Sequence, residues 1–174
     1  MRRRSRPGRA PPRRAGPRPS GMRVAIGTDH AGHALKERLK QELESLGHQV
    51  VDVGAHSGAL PVDYPDFCFP VGEMVARGEV ERGIVLGGSG IGESIAANKV
   101  RGVRAALVHS DETARLTREH NDSNVLALGG RTIRDYDEAA RWLRIWLETP
   151  FEGGRHLRRI HKIHEYENSQ PLRR

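Results

Sequence analysis

The stretch VLGGSGIGESIAANK, Val85 to Lys99, sets a carboxylate beside a glycine loop. An apolar run leads into four glycines and one serine, and a helix-forming run follows whose first charged residue is Glu93. Backbone this rich in glycine, opening a helix, turns amide N–H groups toward an anion. A carboxylate fits there if the anion is transient: it removes a C–H proton next to a carbonyl while the amides stabilise the enediolate. An acid in a first helical turn also gains about 0.3–1 kcal/mol from the helix dipole alone, with no chemistry implied. The helix terminus lowers the pKa of such an acid and burial raises it, and the sequence leaves that balance open.

Two familiar phosphate motifs come close and fail. A dinucleotide fingerprint read from Gly88 needs a third glycine where Glu93 stands, although Asp111 lies at a spacing that imitates the ribose-binding acid. A Walker A loop read from Gly87 needs lysine, again at Glu93. That exchange replaces the cation holding the β- and γ-phosphates with a repelling charge, which argues against a nucleoside triphosphatase.

The elements that must position this loop alternate. RVAIGT (23–28), HQVVDVG (48–54), GIVLGG (83–88), VRAALVH (103–109) and NVLALGG (124–130) read as strands. LKERLKQELESL puts Leu35, Leu39, Leu43 and Leu46 on one helical face and ends at Gly47. Further helices are expected near 66–78, 91–99, 111–120 and 135–148, and a basic one in GGRHLRRIHKIHEYE (153–167). The alternation predicts a doubly wound, Rossmann-like α/β fold, a three-layer αβα sandwich around about five parallel strands. Sites in such folds gather at the carboxyl edge of the sheet. TDHAG, GGSGIGE, HSDE and GGRT follow strands there, REHND ends the helix before the last strand, and several of these are expected to converge on one crevice.

The charge is localised. Residues 1–21 hold eight arginines and no acid; the chain's other 21 Lys and Arg face 22 Asp and Glu, so the body is nearly neutral despite a net +7. The division expected is a disordered Arg/Pro-rich tail over 1–21 and a single domain over 22–174. The tail lacks the apolar run of a secretory signal. It reads as an upstream extension with Met22 as the natural start, the alternative being an arm that contacts nucleic acid. A lone cysteine, Cys68, excludes an internal disulfide and fits a reducing, cytoplasmic setting. No apolar run is long enough for a membrane helix.

GTDHAGHALK (27–36), DYPDF (63–67), GGSGIGESIAANK (87–99), REHNDSNVLALGGR (118–131) and GGRHLRRI (153–160) together resemble ribose-5-phosphate isomerase type B. This is a branch of the sugar-phosphate isomerases that also includes the galactose-6-phosphate isomerase subunits, and the likeness runs over about residues 22–168. It implies interconversion of ribose 5-phosphate and ribulose 5-phosphate through a cis-enediolate, with no metal or organic cofactor. One version of the family carries a cysteine base on the glycine loop, where this chain has Gly87. The other, found in actinobacterial members, has a glutamate opening the following helix, matched here by Glu93. Cys68 lies in a different block and reads as a small buried hydrophobe.

The remaining roles are those the resemblance implies. His120 donates a proton to the ring oxygen on ring opening, and Asp29 takes the hydroxyl proton. Asp29 and His30 contact substrate, and Tyr64 lines the pocket. Gly88, Ser89, Gly90, Ile91 and Gly92 form the anion hole, completed by Asn121, with Ser89 also relaying a proton. Arg131, Arg155 and Arg159 hold the phosphate, since arginine forks match phosphate oxygens, and the i, i+4 spacing of Arg155 and Arg159 puts both on one helical face. The family completes its site with a neighbouring subunit, so a homodimer or tetramer is implied. His156, His161 and His164 do not spell H-E-x-x-H, because Asn168 takes its last position, and are read as part of a basic surface helix rather than a metal site. Two other readings are kept beside this one: the same chemistry on a six-carbon sugar phosphate, and a non-catalytic anion- or nucleotide-binding module.

Overall fold

The computed structural model describes residues 21–171, so the tail expected over 1–21 lies, except for Gly21, outside the described residues. Five strands, β1 (Arg23–Thr28), β2 (Gln49–Gly54), β3 (Arg82–Gly87), β4 (Ala105–Leu107) and β5 (Val125–Gly129), form one sheet in the order β2-β1-β3-β5-β4. Every pairing is parallel. The central strands are buried on both faces, which is why they read as unbroken apolar runs.

Helices cover both faces. α1 (His33–Ser45), α4 (Asp111–Asn121) and α5 (Tyr136–Glu148) pack Leu35, Leu39, Leu43, Ala114, Leu143 and Trp146 against one side. α2 (Pro65–Ala76) and α3 (Ile91–Ala97) pack Cys68, Val71, Ala96 and Ala97 against the other. A last helix, α6 (Arg155–Ser169), touches the body beside α4.

The expected α/β sandwich is present, with local corrections. Of the four leucines expected on one face, Leu46 is the C-cap of α1 and is 37% exposed, because the helix stops before it turns inward. The strand expected over 103–109 shrinks to three residues at the sheet edge. Asn98, capping α3, satisfies the open outer edge of that strand: its amide side chain donates to Ala105 O (2.9 Å) and accepts from Ala105 N (2.8 Å). Side-chain capping of an edge strand limits its pairing with other chains.

Candidate active site

Chain direction fixes which residues can meet. β1, β3 and β5 end at one edge, and the loops there are bonded together: Gly130 N donates to Gly87 O (2.7 Å) and Arg131 N to Gly88 O (3.0 Å). Glycine is required at this crossing, since a β-carbon on Gly129 would strike the Ser89 backbone and one on Gly130 the Ala31 carbonyl. Asp29, His30, Tyr64, the loop from Gly87 to Gly92, Glu93 and Arg131 assemble here as expected. Asp29 Oδ1 accepts from the amides of Ala31 (2.8 Å) and Gly32 (3.2 Å), fixing the carboxylate at the head of α1. His30 Nδ1 accepts from Val62 N (3.3 Å), so a neutral ring carries its proton on Nε2. The Tyr64 phenol lies over Gly92, whose hypothetical β-carbon would be 2.7 Å from the hydroxyl. Gly90, with φ 78°, turns the chain from the loop into α3. Ser89 Oγ accepts from Ile91 N (3.2 Å), so the Ile91 amide, expected in the anion hole, is engaged within the loop.

Glu93 is 3% exposed, and its Oε2 is buried with no hydrogen-bond partner among the described residues. Its carboxyl lies against Gly87, in the volume a side chain there would fill. Burial raises its pKa and the negative charge of Asp29 adds to the rise, while the amides of Glu93 and Gly90 oppose it. The balance left open by the sequence therefore falls on the side of a stronger base. Cys68 is buried nearby, and burial pushes its thiol well above the usual range, with Glu93 and Asp29 adding to the shift. It is an inert core residue.

The other expected residues lie elsewhere in the chain. His120 and Asn121 end α4, which leads into the start of β5, so they stand at the amino edge of the sheet. The five residues of β5 separate that edge from the glycine loop, a span of about 15 Å at the usual strand rise. REHND does not join the crevice formed by the other loops in the same chain. Arg155 and Arg159, both exposed in the first turns of α6, lie about His156, which faces His120. None of Arg131, Arg155 and Arg159 has an ion-pair partner among the described residues, which leaves their guanidinium groups available to an anion.

The His120 end is firmly built. Arg118, almost fully buried, donates from Nη1 to Asp122 Oδ1 (2.7 Å) and Ser123 O (2.6 Å). Arg104 donates to the carbonyls of Asn121 (3.0 Å) and Asp122 (2.8 Å), and its Nη1 lies 2.9 Å from His164 Nε2. Glu152 N donates to Glu119 O (3.1 Å), pinning the loop before α6 to α4. His156 then stacks on His120, ring centroids 4.3 Å apart and planes within 14°. Burial lowers the pKa of His156, and His120, Arg155 and Arg159 disfavour a further charge there, against Glu152. The sequence reading missed Arg104, Arg118 and Glu152; Arg118 stands inside the quoted REHND block, but nothing local marks it as the anchor.

A cleft of about 670 Å³ between β4 and α5, lined by His109, Arg134, Arg141 and Trp142, reaches the loop only through Ser89 and Ile91. It contains neither Glu93 nor the arginines of the expected phosphate set. No helix among the described residues is long and apolar enough to cross a membrane.

Known proteins share this fold. The family model described as Ribose/Galactose Isomerase matches residues 24–163. Ribose-5-phosphate isomerase B of Mycobacterium leprae is 46% identical, the match covering 86% of this chain and 93% of that protein. The structure of ribose-5-phosphate isomerase B from Clostridium thermocellum superposes with a TM-score of 0.82 at 48% identity, over 84% of this chain and 98% of the other. That from Mycoplasma genitalium, solved with bound ribulose-5-phosphate, gives 0.81 at 41% identity, over 85% and 97%. Sequence blocks, sheet order and these likenesses agree, and the chain belongs to the ribose/galactose isomerase family, among the type B ribose-5-phosphate isomerases.

Proposed function

We propose that the protein interconverts D-ribose 5-phosphate and D-ribulose 5-phosphate through a cis-enediolate, with Glu93 as the general base. The observation that carries this is the Glu93 carboxyl, buried with one oxygen unpartnered at the mouth of the glycine loop, its pKa raised. A carboxylate so placed is short of hydrogen bonds in its charged state and gains by taking a proton.

The sugar enters as a furanose. His120 donates a proton to the ring oxygen and Asp29 accepts one from the C1 hydroxyl, opening the ring to the aldehyde. Glu93 removes the proton on C2, and the electron pair moves through C1 onto the carbonyl oxygen, where the loop amides meet the new negative charge. Ser89 relays the proton between the two oxygens, and protonated Glu93 returns its proton to C1, leaving the ketose at C2. No electron leaves the substrate, so this cycle calls for no cofactor. Arg131, Arg155 and Arg159 hold the phosphate, and His30 and Tyr64 line the pocket.

This cycle needs two chains. His120, Asn121, Arg155 and Arg159 stand too far from Glu93 of their own chain, so each site takes them from a neighbouring copy in a homodimer or a pair of dimers. The exposed apolar side chains of Ile91 and Ile95 on α3 and Leu107 on β4 give that neighbour a surface to cover. The same reading sets the enzyme in the cytoplasm, in keeping with its buried free thiol.

The test is turnover of ribose 5-phosphate beside allose 6-phosphate and galactose 6-phosphate by the chain from Met22. Preference for the five-carbon sugar is the expected result. Preference for a six-carbon sugar would keep the chemistry and replace the substrate, and no turnover of any of them would leave a binding module.

A further inference from the structure

The sequence groups His156 with His161 and His164, whereas the fold groups it with His120 and Glu152. His156 is 4% exposed, and its Nε2 is buried without a hydrogen-bond partner among the described residues. That nitrogen faces Glu152 Oε2 at 3.5 Å. A donor atom of His120 joins them, all three lying within 4.8 Å of one another. The reaction proposed above uses His120 alone of these three.

We propose that His120, Glu152 and His156 form a binding site for a zinc-class divalent transition metal, and that an ion held there inhibits the enzyme by occupying His120. Two imidazoles and one carboxylate suit zinc and its neighbours rather than magnesium or calcium, which favour oxygen donors. Zinc bonds of 2.0–2.1 Å at a tetrahedral angle set neighbouring donors about 3.4 Å apart, close to the 3.5 Å between His156 Nε2 and Glu152 Oε2. His120 has to turn out of its stack to complete the set, because a ligating ring points its lone pair at the ion in the ring plane. It is half-buried and its ring makes no hydrogen bond among the described residues, so stacking is what holds it. Three protein donors leave the fourth position to water. Arg155 and Arg159 repel a cation, which makes this a reversible site rather than a closed structural one. The inhibition rests on the role proposed for His120; the metal site itself does not.

The test uses the intact, chelator-treated protein. Cobalt(II) is titrated while its visible d–d bands are followed, and zinc binding is measured by equilibrium dialysis. Wild type is expected to bind with a tetrahedral cobalt spectrum. Glu152→Gln is expected to lose at least about tenfold in affinity, as loss of a ligand implies, while metal-free turnover stays at the wild-type level. His161→Asn, altering the exposed His161–Glu165 pair at 3.3 Å, is expected to change nothing. Zinc is expected to inhibit wild type and to inhibit Glu152→Gln only at correspondingly higher concentration. Equal zinc affinity in wild type and Glu152→Gln, or no cobalt spectrum at all, would overturn the site. Zinc bound with the expected dependence but without inhibition would keep the site and overturn the reaction role of His120.

Discussion

Glu93 and Gly87 occupy one space. A β-carbon on Gly87 would overlap Oε1 and Cδ of Glu93, so the carboxyl keeps its position because residue 87 has no side chain. A side chain at position 87 and the Glu93 carboxyl in this position therefore compete for one volume, and adding the first would force the second to rotate away.

Gly87→Ala should accordingly displace the base. We expect a fall in kcat of about 10²–10⁴, the range a general base contributes. Far-ultraviolet circular dichroism should show the fold retained, and wild-type kcat in this variant would mean that the carboxyl need not sit against Gly87.

The raised pKa of Glu93 has two consequences with opposite signs. A base must be deprotonated, so kcat/KM, which reports the free enzyme, falls on the acid side at a pH above the ordinary glutamate value of about 4.3. For stability, the folded chain binds this proton more tightly than the unfolded one, so the contribution is present at low pH and is lost as pH rises through the folded pKa. Glu93→Gln should then melt at or above the wild-type Tm at pH 7, with the gap closing as pH falls through the carboxylate range. A clearly lower Tm at pH 7 would show that the ionised carboxylate stabilises the fold.

Lys36 makes the opposite case. It is fully buried, and its Nζ donates to Asp52 Oδ1 (2.8 Å) and Ala55 O (2.7 Å). Burial works against the Asp52 charge, but the hydrogen bonds from Lys36, Lys40 and the Gly54 amide prevail and hold its pKa at about 2. That stabilisation is present above the unfolded carboxylate pKa and is lost as pH falls toward 2. Lys36→Met should cost about 1–3 kcal/mol at neutral pH, by leaving the Ala55 carbonyl unpaired and Asp52 held by Lys40 and the Gly54 amide alone. Urea unfolding at pH 7 and pH 3 measures it, and the penalty should shrink at the lower pH.

The proposed sharing of each site between two chains can be tested by mixing variants. Glu93→Gln and His120→Asn are each expected to be poorly active alone. If subunits exchange freely between dimers, half the dimers are mixed and one of their two sites is intact, so about a quarter of wild-type activity should return. Activity that stays at the mean of the two variants would mean that each site is built from one chain.

Sequence was most informative where a local rule decides the structure. Leu35, Leu39 and Leu43 mark the inner face of α1 by spacing alone, and the apolar runs of β1, β3 and β5 mark strands covered on both sides. Glu93 was legible because a carboxylate is chemically out of place in a phosphate loop. The extent of β4 was not, since it is an edge strand whose outer groups at Ala105 are met by the side chain of Asn98, seven residues earlier. The sequence reading set REHND with the carboxyl-edge loops, although connectivity alone puts His120 at the opposite edge: a helix that leads into a strand ends where that strand begins. The stack of His120 on His156 depends on Glu152 N bonding Glu119 O, a contact across 33 residues that periodicity cannot reveal. Whether Glu93 is raised or lowered depends on burial by α2 and β3, and so emerges only from the packed structure.

In the proposed reaction everything turns on Glu93 moving the carbon-bound proton. The direct measurement is kcat of Glu93→Gln against wild type with ribose 5-phosphate, each shown to be folded by its melting transition. A loss of about 10²–10⁴-fold is expected, with KM little changed because the proposed phosphate contacts are the arginines. A variant that turns over ribose 5-phosphate at the wild-type rate would contradict that role for Glu93.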